Sequence, residues 1–197
     1  MEPPSLPPPS PSLQVERAVA PISFPDVALE RVLRNHLFPR GSTRETCRRW
    51  GVVRYVYNRV DLDGDRTPET LAALLGPRVC GREGCPVLLA RHFGARMTPL
   101  QTLTGFHSFL LVSQERSRGW RDLILPQPSA PPGGPAPVLS HDGAGYTRPP
   151  SNERAEDSPA RGISALALRS RPYLVQGHPL ACLPGTPEVG RINETRY

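Results

Sequence analysis

One short stretch of the chain places oxygen-bearing side chains at a spacing that suits metal binding or acid–base chemistry. Calcium takes roughly six to eight oxygen ligands, and carboxylates on one tight loop can supply several of them. The stretch has a glycine that allows a tight turn, and we predict a calcium-binding loop with the ligands Asp61, Asp63, Asp65 and Glu69. Thr67 completes the run of oxygen-bearing side chains at every second position.

The stretch differs from an EF-hand loop at two positions. Arg66 stands at the sixth position in place of glycine, and Ala72 stands at the twelfth in place of a bidentate glutamate. A shorter calcium loop remains open as an interpretation. The alternative is a hairpin turn in which the carboxylates accept hydrogen bonds from nearby backbone N–H groups, and Arg66 favours that alternative.

The cysteines form a second candidate site. Cys80 and Cys85 enclose a Gly-Arg-Glu-Gly segment between two predicted strands, so we predict a disulfide that closes a hairpin loop. A disulfide implies an oxidising compartment, and the alternative is two free thiols in a reducing cytoplasm. Zinc would need two further ligands at a familiar spacing, and Cys47 and Cys182 stand alone. The sequence leaves the pairing of Cys47 with Cys182 open.

A third candidate is an interaction patch at Trp120, Arg121 and Asp122. Tryptophan and arginine are enriched in binding hot spots. The alternative is a core tryptophan beside a local Arg–Asp salt bridge. The chain has no nucleophile elbow, phosphate loop or dinucleotide-binding glycine motif, so the sequence favours a protein that is not an enzyme.

Three motifs in fixed order resemble a family of uncharacterised bacterial envelope proteins, many of which carry lipoprotein or secretory signals. The motifs are YVYNRVDLDGDRTPE, CGREGCPVLL and GWRDLIL, and the resemblance covers residues 52–125. The chain departs from the family pattern at Asp63, Arg66 and Thr70. The resemblance implies a periplasmic or envelope location, and it brings no known activity with it.

Composition limits the remaining functions. The chain has 197 residues, a net charge of +6 and 24 basic residues, all of them arginine. The arginines are scattered among acidic residues, so we predict no nucleic-acid partner. No run of apolar residues is long enough for a transmembrane segment. The first residues lack a signal-peptide pattern, which leaves two alternatives: a leader upstream of a misplaced start codon, or a cytoplasmic protein.

Proline and glycine mark the segments that flank the core. The chain contains 26 prolines and 17 glycines, and they cluster. Residues 1–21 are predicted to be a disordered proline-rich tether, and residues 127–137 a linker. The core is predicted at residues 22–126. Residues 138–197 are predicted to be a poorly ordered extension with a hairpin and an edge strand.

The fold class predicted for the core is α+β, an antiparallel β meander with one or two N-terminal helices packed on it. Leu29, Val32, Leu33 and Leu37 recur at helical spacing, and Ser42 with Glu45 forms a capping-box pattern for a second helix. Short connections between strands favour the meander. The strands are predicted at residues 52–60, 86–91, 106–113 and 120–125. A further strand is predicted in the ambiguous segment after Pro68.

These observations favour a non-enzymatic bacterial envelope-associated domain. Its partner would be an envelope protein or another cell-surface component. Two alternatives remain open: a cell-wall or polysaccharide hydrolase that uses the acidic loop, and a calcium-stabilised binding module.

Overall fold

The computed structural model describes residues 14–37, 43–126, 136–148, 161–167 and 177–182. Within these ranges the chain is mostly antiparallel β-sheet with few helices. The helices are α1 (Val27–Leu37) and α2 (Thr43–Trp50). The strands are β1 (Gln14–Ala18), β2 (Val53–Val60), β3 (Glu69–Leu75), β4 (Cys85–Phe93), β5 (Arg96–Phe106), β6 (Phe109–Ser117), β7 (Trp120–Ile124), β8 (Val138–His141), β9 (Tyr146–Thr147), β10 (Arg161–Ala167) and β11 (His178–Ala181).

The strands form two sheets. The five-stranded sheet has the order β11-β2-β3-β4-β5, and the six-stranded sheet has the order β1-β10-β6-β7-β8-β9. Strands β2 to β5 form one antiparallel meander, and strands β6 to β9 form another. The chain therefore changes sheets between β5 and β6. The β1–β10 pair is parallel.

The five-stranded sheet is covered on both faces. One face packs on the six-stranded sheet through an inner core, and the other packs under α1 through an outer core. Every residue of β3 is buried, so its sequence has no polar alternation and is ambiguous between helix and strand. The strand predicted in the segment after Pro68 is confirmed as β3. Inner-core residues include Leu71, Val87, Phe106, Leu110 and Leu123, and outer-core residues include Leu29, Leu33, Tyr55, Leu74 and Leu88.

Helix α1 confirms the helical spacing read from the sequence. Leu29 and Leu33 are fully buried against the sheet. The Asp26 carboxylate accepts a hydrogen bond from the Leu29 N–H at 3.0 Å, as a residue that caps a helix N-terminus does. The second predicted helix is also present as α2, but Ser42 of its predicted capping box lies outside the described residues. Neither helix in the described ranges is long and apolar enough to cross a membrane.

The prediction missed strand β5. The sequence was expected to begin a strand at residue 106, whereas β5 ends there and β6 starts at Phe109. Pro99 and Gly105 lie within this strand, although both residue types are uncommon in strand interiors. The segment is an edge strand of its sheet, where a proline is tolerated because one side makes no ladder hydrogen bonds.

Strands β8 to β11 belong to the range predicted as a C-terminal extension, and they pair with strands of both sheets. The predicted hairpin around Asp142 is present as β8–β9. Strand β10 lies between β1 and β6, and β11 lies at the edge beside β2. Of the predicted disordered tether, residues 14–18 instead form β1, which pairs with β10, and residues 1–13 lie outside the described residues. Residues 127–135 of the predicted linker also lie outside them.

Candidate functional site

The acidic loop, residues 61–68, connects β2 to β3. Its backbone makes a tight turn with positive φ at Gly64 (84°) and Arg66 (71°). Gly64 adopts this conformation without steric cost, whereas an arginine in the left-handed region is uncommon. The loop therefore holds Arg66 in a conformation that glycine would adopt more easily.

The structure brings three of the four predicted ligands together. The ligand atoms of Asp61, Asp63 and Asp65 all lie within 4.8 Å of one another. Each carboxylate also accepts a backbone hydrogen bond within the loop: Asp61 from the Gly64 N–H at 2.7 Å and the Arg66 N–H at 3.2 Å, Asp63 from the Asp65 N–H at 3.1 Å, and Asp65 from the Thr67 N–H at 2.6 Å. These bonds are those of a turn held by its own side chains. Calcium binding by this loop remains a prediction.

Glu69, the fourth predicted ligand, points elsewhere. Its side chain is 0% exposed, and it accepts hydrogen bonds from the Leu62 N–H at 2.9 Å and from Arg91 Nε at 2.8 Å. Burial raises the pKa of Glu69 above its usual value, although the Leu62 N–H and Arg91 lower it. Glu69 therefore fixes the start of β3 to the acidic loop.

Arg91 of β4 links the acidic loop to the sheet. Its Nη2 atom lies 2.6 Å from Glu69 Oε1 and also forms an ion pair with Asp63 Oδ2. Burial raises the pKa of Asp63, but hydrogen bonds from the Asp65 N–H and from Arg91 outweigh it and hold that pKa below its usual value. Burial lowers the pKa of Arg91, but the bonds to both carboxylates raise it overall. Sequence reasoning missed Arg91, although the register that pairs Thr70 with Ala90 places it beside Glu69.

The acidic loop also contacts the six-stranded sheet. The Leu62 carbonyl accepts hydrogen bonds from the Arg121 N–H at 2.8 Å and from Arg116 Nη1 at 3.2 Å. The Arg116 guanidinium packs on Gly64, where an added Cβ would lie 3.3 Å from Nη1. The loop thus joins the β2–β3 connection to the β6–β7 hairpin, and it acts as a bridge between the two sheets.

The predicted interaction patch is divided between surface and interior. Trp120 and Arg121 are half-buried, whereas Asp122 is 2% exposed. The Trp120 ring stacks on His141 with centroids 4.5 Å apart, and Arg91 lies over the same ring at 5.3 Å. Trp120 is thus packed against neighbouring side chains as well as partly exposed. Its role in binding remains a prediction.

Both disulfides are present in the structure. The predicted Cys80–Cys85 bond closes the turn between β3 and β4, with a Cα–Cα distance of 4.0 Å. Cys47 pairs with Cys182, which settles the pairing that the sequence left open and ties α2 to the residue after β11. All four cysteines are therefore bonded. Disulfides of this kind form and persist in oxidising compartments.

The chain matches no family model, no curated protein and no solved structure. The resemblance of its three motifs to envelope proteins remains a proposal.

Proposed function

We propose that this protein is a non-enzymatic domain of the bacterial envelope that binds another envelope component. The observation that favours a non-enzymatic role is the position of Glu69. Its carboxylate is fully buried and is hydrogen-bonded to the Leu62 N–H and to Arg91. A carboxylate held in this way is enclosed by its own fold and is not accessible to a substrate.

Glu69 and Asp63 do not form the pair of carboxyl groups that the hydrolase alternative needs. A glycosidase uses one carboxylic acid with a raised pKa and one ionised carboxylate, both in contact with the substrate. Glu69 has a raised pKa, but it is buried. Asp63 is more accessible, but its pKa is lowered and it is paired with Arg91. The geometry therefore favours a structural role for these side chains over acid–base catalysis.

The two disulfides support a periplasmic or envelope location. One of them joins residues 135 positions apart, and the other closes a short turn. Disulfides are rare in reducing cytoplasm, where thiols are kept reduced. The Cys47–Cys182 bond gives this support independently of the motif resemblance, whereas Cys80 and Cys85 belong to one of the motifs.

A sedimentation experiment tests the proposal. Purified oxidised protein is mixed with isolated bacterial envelopes and centrifuged, and the supernatant is analysed for released saccharides and peptides. We expect the protein to pellet with the envelopes without releasing soluble cell-wall fragments. Protein that stays in the supernatant would contradict envelope binding. Fragment release that is lost in the Glu69→Gln variant would favour the hydrolase instead.

A further inference from the structure

We propose that an arginine patch, formed by Arg48, Arg49, Arg78 and Arg82, binds the phosphate groups of an anionic phospholipid surface. This inference rests on the proposed envelope function and names the partner. All four side chains are exposed. The sequence does not show the patch, because its members lie in two segments that come into contact only in the fold.

Helix α2 and the β3–β4 turn carry the four arginines, and the two segments are in contact. Arg48 and Arg49 lie in the last turn of α2. Arg78 donates a hydrogen bond from Nη1 to the Arg48 carbonyl, so the turn contacts the helix end directly. Gly51 and Pro77 meet at the same place, since a Cβ added at Gly51 would lie 4.0 Å from Pro77 Cγ. Positive charge is also favourable there, because the C-terminus of a helix carries partial negative charge.

The two disulfides fix both halves of the patch. Cys47, next to Arg48, is bonded to Cys182, and the Cys80–Cys85 bond closes the turn that carries Arg82. Gly81 and Gly84 exchange backbone hydrogen bonds at 3.1 Å, which places Arg82 at the tip of the turn. A surface that is already ordered loses less conformational entropy on binding.

The patch carries positive charge that the fold does not neutralise. Ion pairs between described residues involve Arg34, Arg59 and Arg91, and none uses an arginine of the patch. Glu83 is the acidic residue at the tip of the same turn, so four arginines and one glutamate leave three net positive charges. Guanidinium groups bind phosphate oxygens through paired hydrogen bonds, which makes phosphate the matching ligand chemistry.

The aromatic residue beside the patch favours a lipid surface over nucleic acid. Proteins that bind single strands stack the bases on exposed aromatic rings. Trp50 packs against the outer core, and the Arg49 guanidinium lies 4.8 Å from its ring centroid, so this ring does not offer a free face. Clusters of arginine and lysine at a protein surface bind anionic headgroups instead.

Vesicle binding tests this inference with the oxidised full chain. Vesicles of phosphatidylcholine alone are compared with vesicles that also contain phosphatidylglycerol. We expect binding to the anionic vesicles alone, and we expect it to weaken as salt screens the charges. The Arg49→Gln/Arg82→Gln variant should bind about 25-fold more weakly, since each arginine near the surface contributes roughly fivefold. Neither substitution removes a hydrogen bond described above, and thermal melting checks that the variant is folded.

A matched control variant removes the same charge elsewhere. Arg96 and Arg118 are also exposed, so Arg96→Gln/Arg118→Gln should retain the affinity of the unmodified protein. An equal loss in both variants would overturn the inference, because net charge alone would then explain binding. Tighter binding to DNA oligonucleotides than to vesicles would also overturn it. If the protein pellets with envelopes but binds no vesicles, the lipid assignment fails while the proposed function stands.

Discussion

The side-chain amide of Gln101 pairs with both backbone polar groups of Tyr146, as a neighbouring strand would. Gln101 Nε2 donates to the Tyr146 carbonyl at 2.8 Å, and the Tyr146 N–H donates to Gln101 Oε1 at 2.7 Å. Gln101 lies in β5 and Tyr146 in β9, and each of these strands forms one edge of its sheet. Gly145 permits this approach, because a Cβ there would lie 2.9 Å from Gln101 Oε1. The Gln101 side chain thus links an edge of one sheet to an edge of the other by hydrogen bonds.

Replacing Gln101 with alanine should destabilise the protein by about 1–3 kcal/mol, because two backbone groups lose their partner in a partly buried position. Urea unfolding measures the free energy, and hydrogen exchange at the Tyr146 amide measures local opening. Thr104→Ala, an exposed position on the same strand, is the control. Equal stability of the two variants would mean that the Gln101 amide does not hold the sheets together.

Removal of Arg91 should be more damaging than removal of a surface arginine. Arg91→Met leaves the fully buried Glu69 without its charged partner, and breaking such a pair costs about 3–5 kcal/mol. The loss should be smaller at acidic pH, because protonation of Glu69 removes the buried charge. Urea unfolding at two pH values measures both effects.

The double variant Glu69→Gln/Arg91→Met is the control for this pair. Its neutral amide can still accept the Leu62 hydrogen bond, so the double variant should be more stable than Arg91→Met alone. The effects of Glu69→Gln alone and Arg91→Met alone on the free energy of unfolding are compared with that of the double variant. If they simply add, Glu69 and Arg91 are not energetically coupled, and the structural role assigned to Glu69 is wrong.

Sequence reasoning succeeded where the signal was local. The spacing of Leu29 and Leu33 predicted α1, and the short separation of Cys80 and Cys85 predicted their disulfide. The acidic residues at alternating positions predicted the place of the loop, and three of them converge there.

Contacts that join distant segments were missed or left open. The Arg91 ion pairs depend on the alignment of β3 with β4, and the Cys47–Cys182 bond depends on β11 lying beside β2. For Asp122 the sequence left a surface patch and a local salt bridge open, and the structure buries its side chain. The arginine patch likewise appears only after α2 and the β3–β4 turn are brought together.

The two disulfides should contribute unequally to stability. In the chain-entropy description, a bond across 135 residues stabilises the fold by about 5 kcal/mol and a bond across five residues by about 2 kcal/mol. Guanidinium unfolding of Cys47→Ser/Cys182→Ser and Cys80→Ser/Cys85→Ser compares them. A larger loss for the second pair would show that local packing in the β3–β4 turn outweighs loop closure.

Arg66→Gly should stabilise the protein by about 1 kcal/mol, because a left-handed backbone is strained for arginine and free of strain for glycine. Arg82→Gly, at a turn position without positive φ, is the control and should not stabilise the protein.

Arg66→Gly also tests the calcium hypothesis. Bound calcium would raise the melting temperature with the logarithm of its concentration. No shift in either the unmodified protein or Arg66→Gly would contradict a calcium loop.

The buried His141 should make the protein less stable in mild acid. Burial lowers the pKa of His141, and nearby Asp142 raises it by less. The His141 imidazole therefore becomes protonated at a lower pH in the folded state than in the unfolded chain. The stability that comes from the neutral, buried imidazole is fully present above the pKa of the unfolded chain, and it is lost as the pH falls through the pKa of the folded state.

The variant His141→Asn tests this effect. Its asparagine can still accept a hydrogen bond from the Gly143 N–H, but it loses the stacking on Trp120 and does not titrate. It should therefore melt lower than the unmodified protein at about pH 7, and the difference should shrink towards about pH 5. His36→Asn, at an exposed position, controls for removing a histidine, and a constant difference across this range for His141→Asn would contradict the assignment.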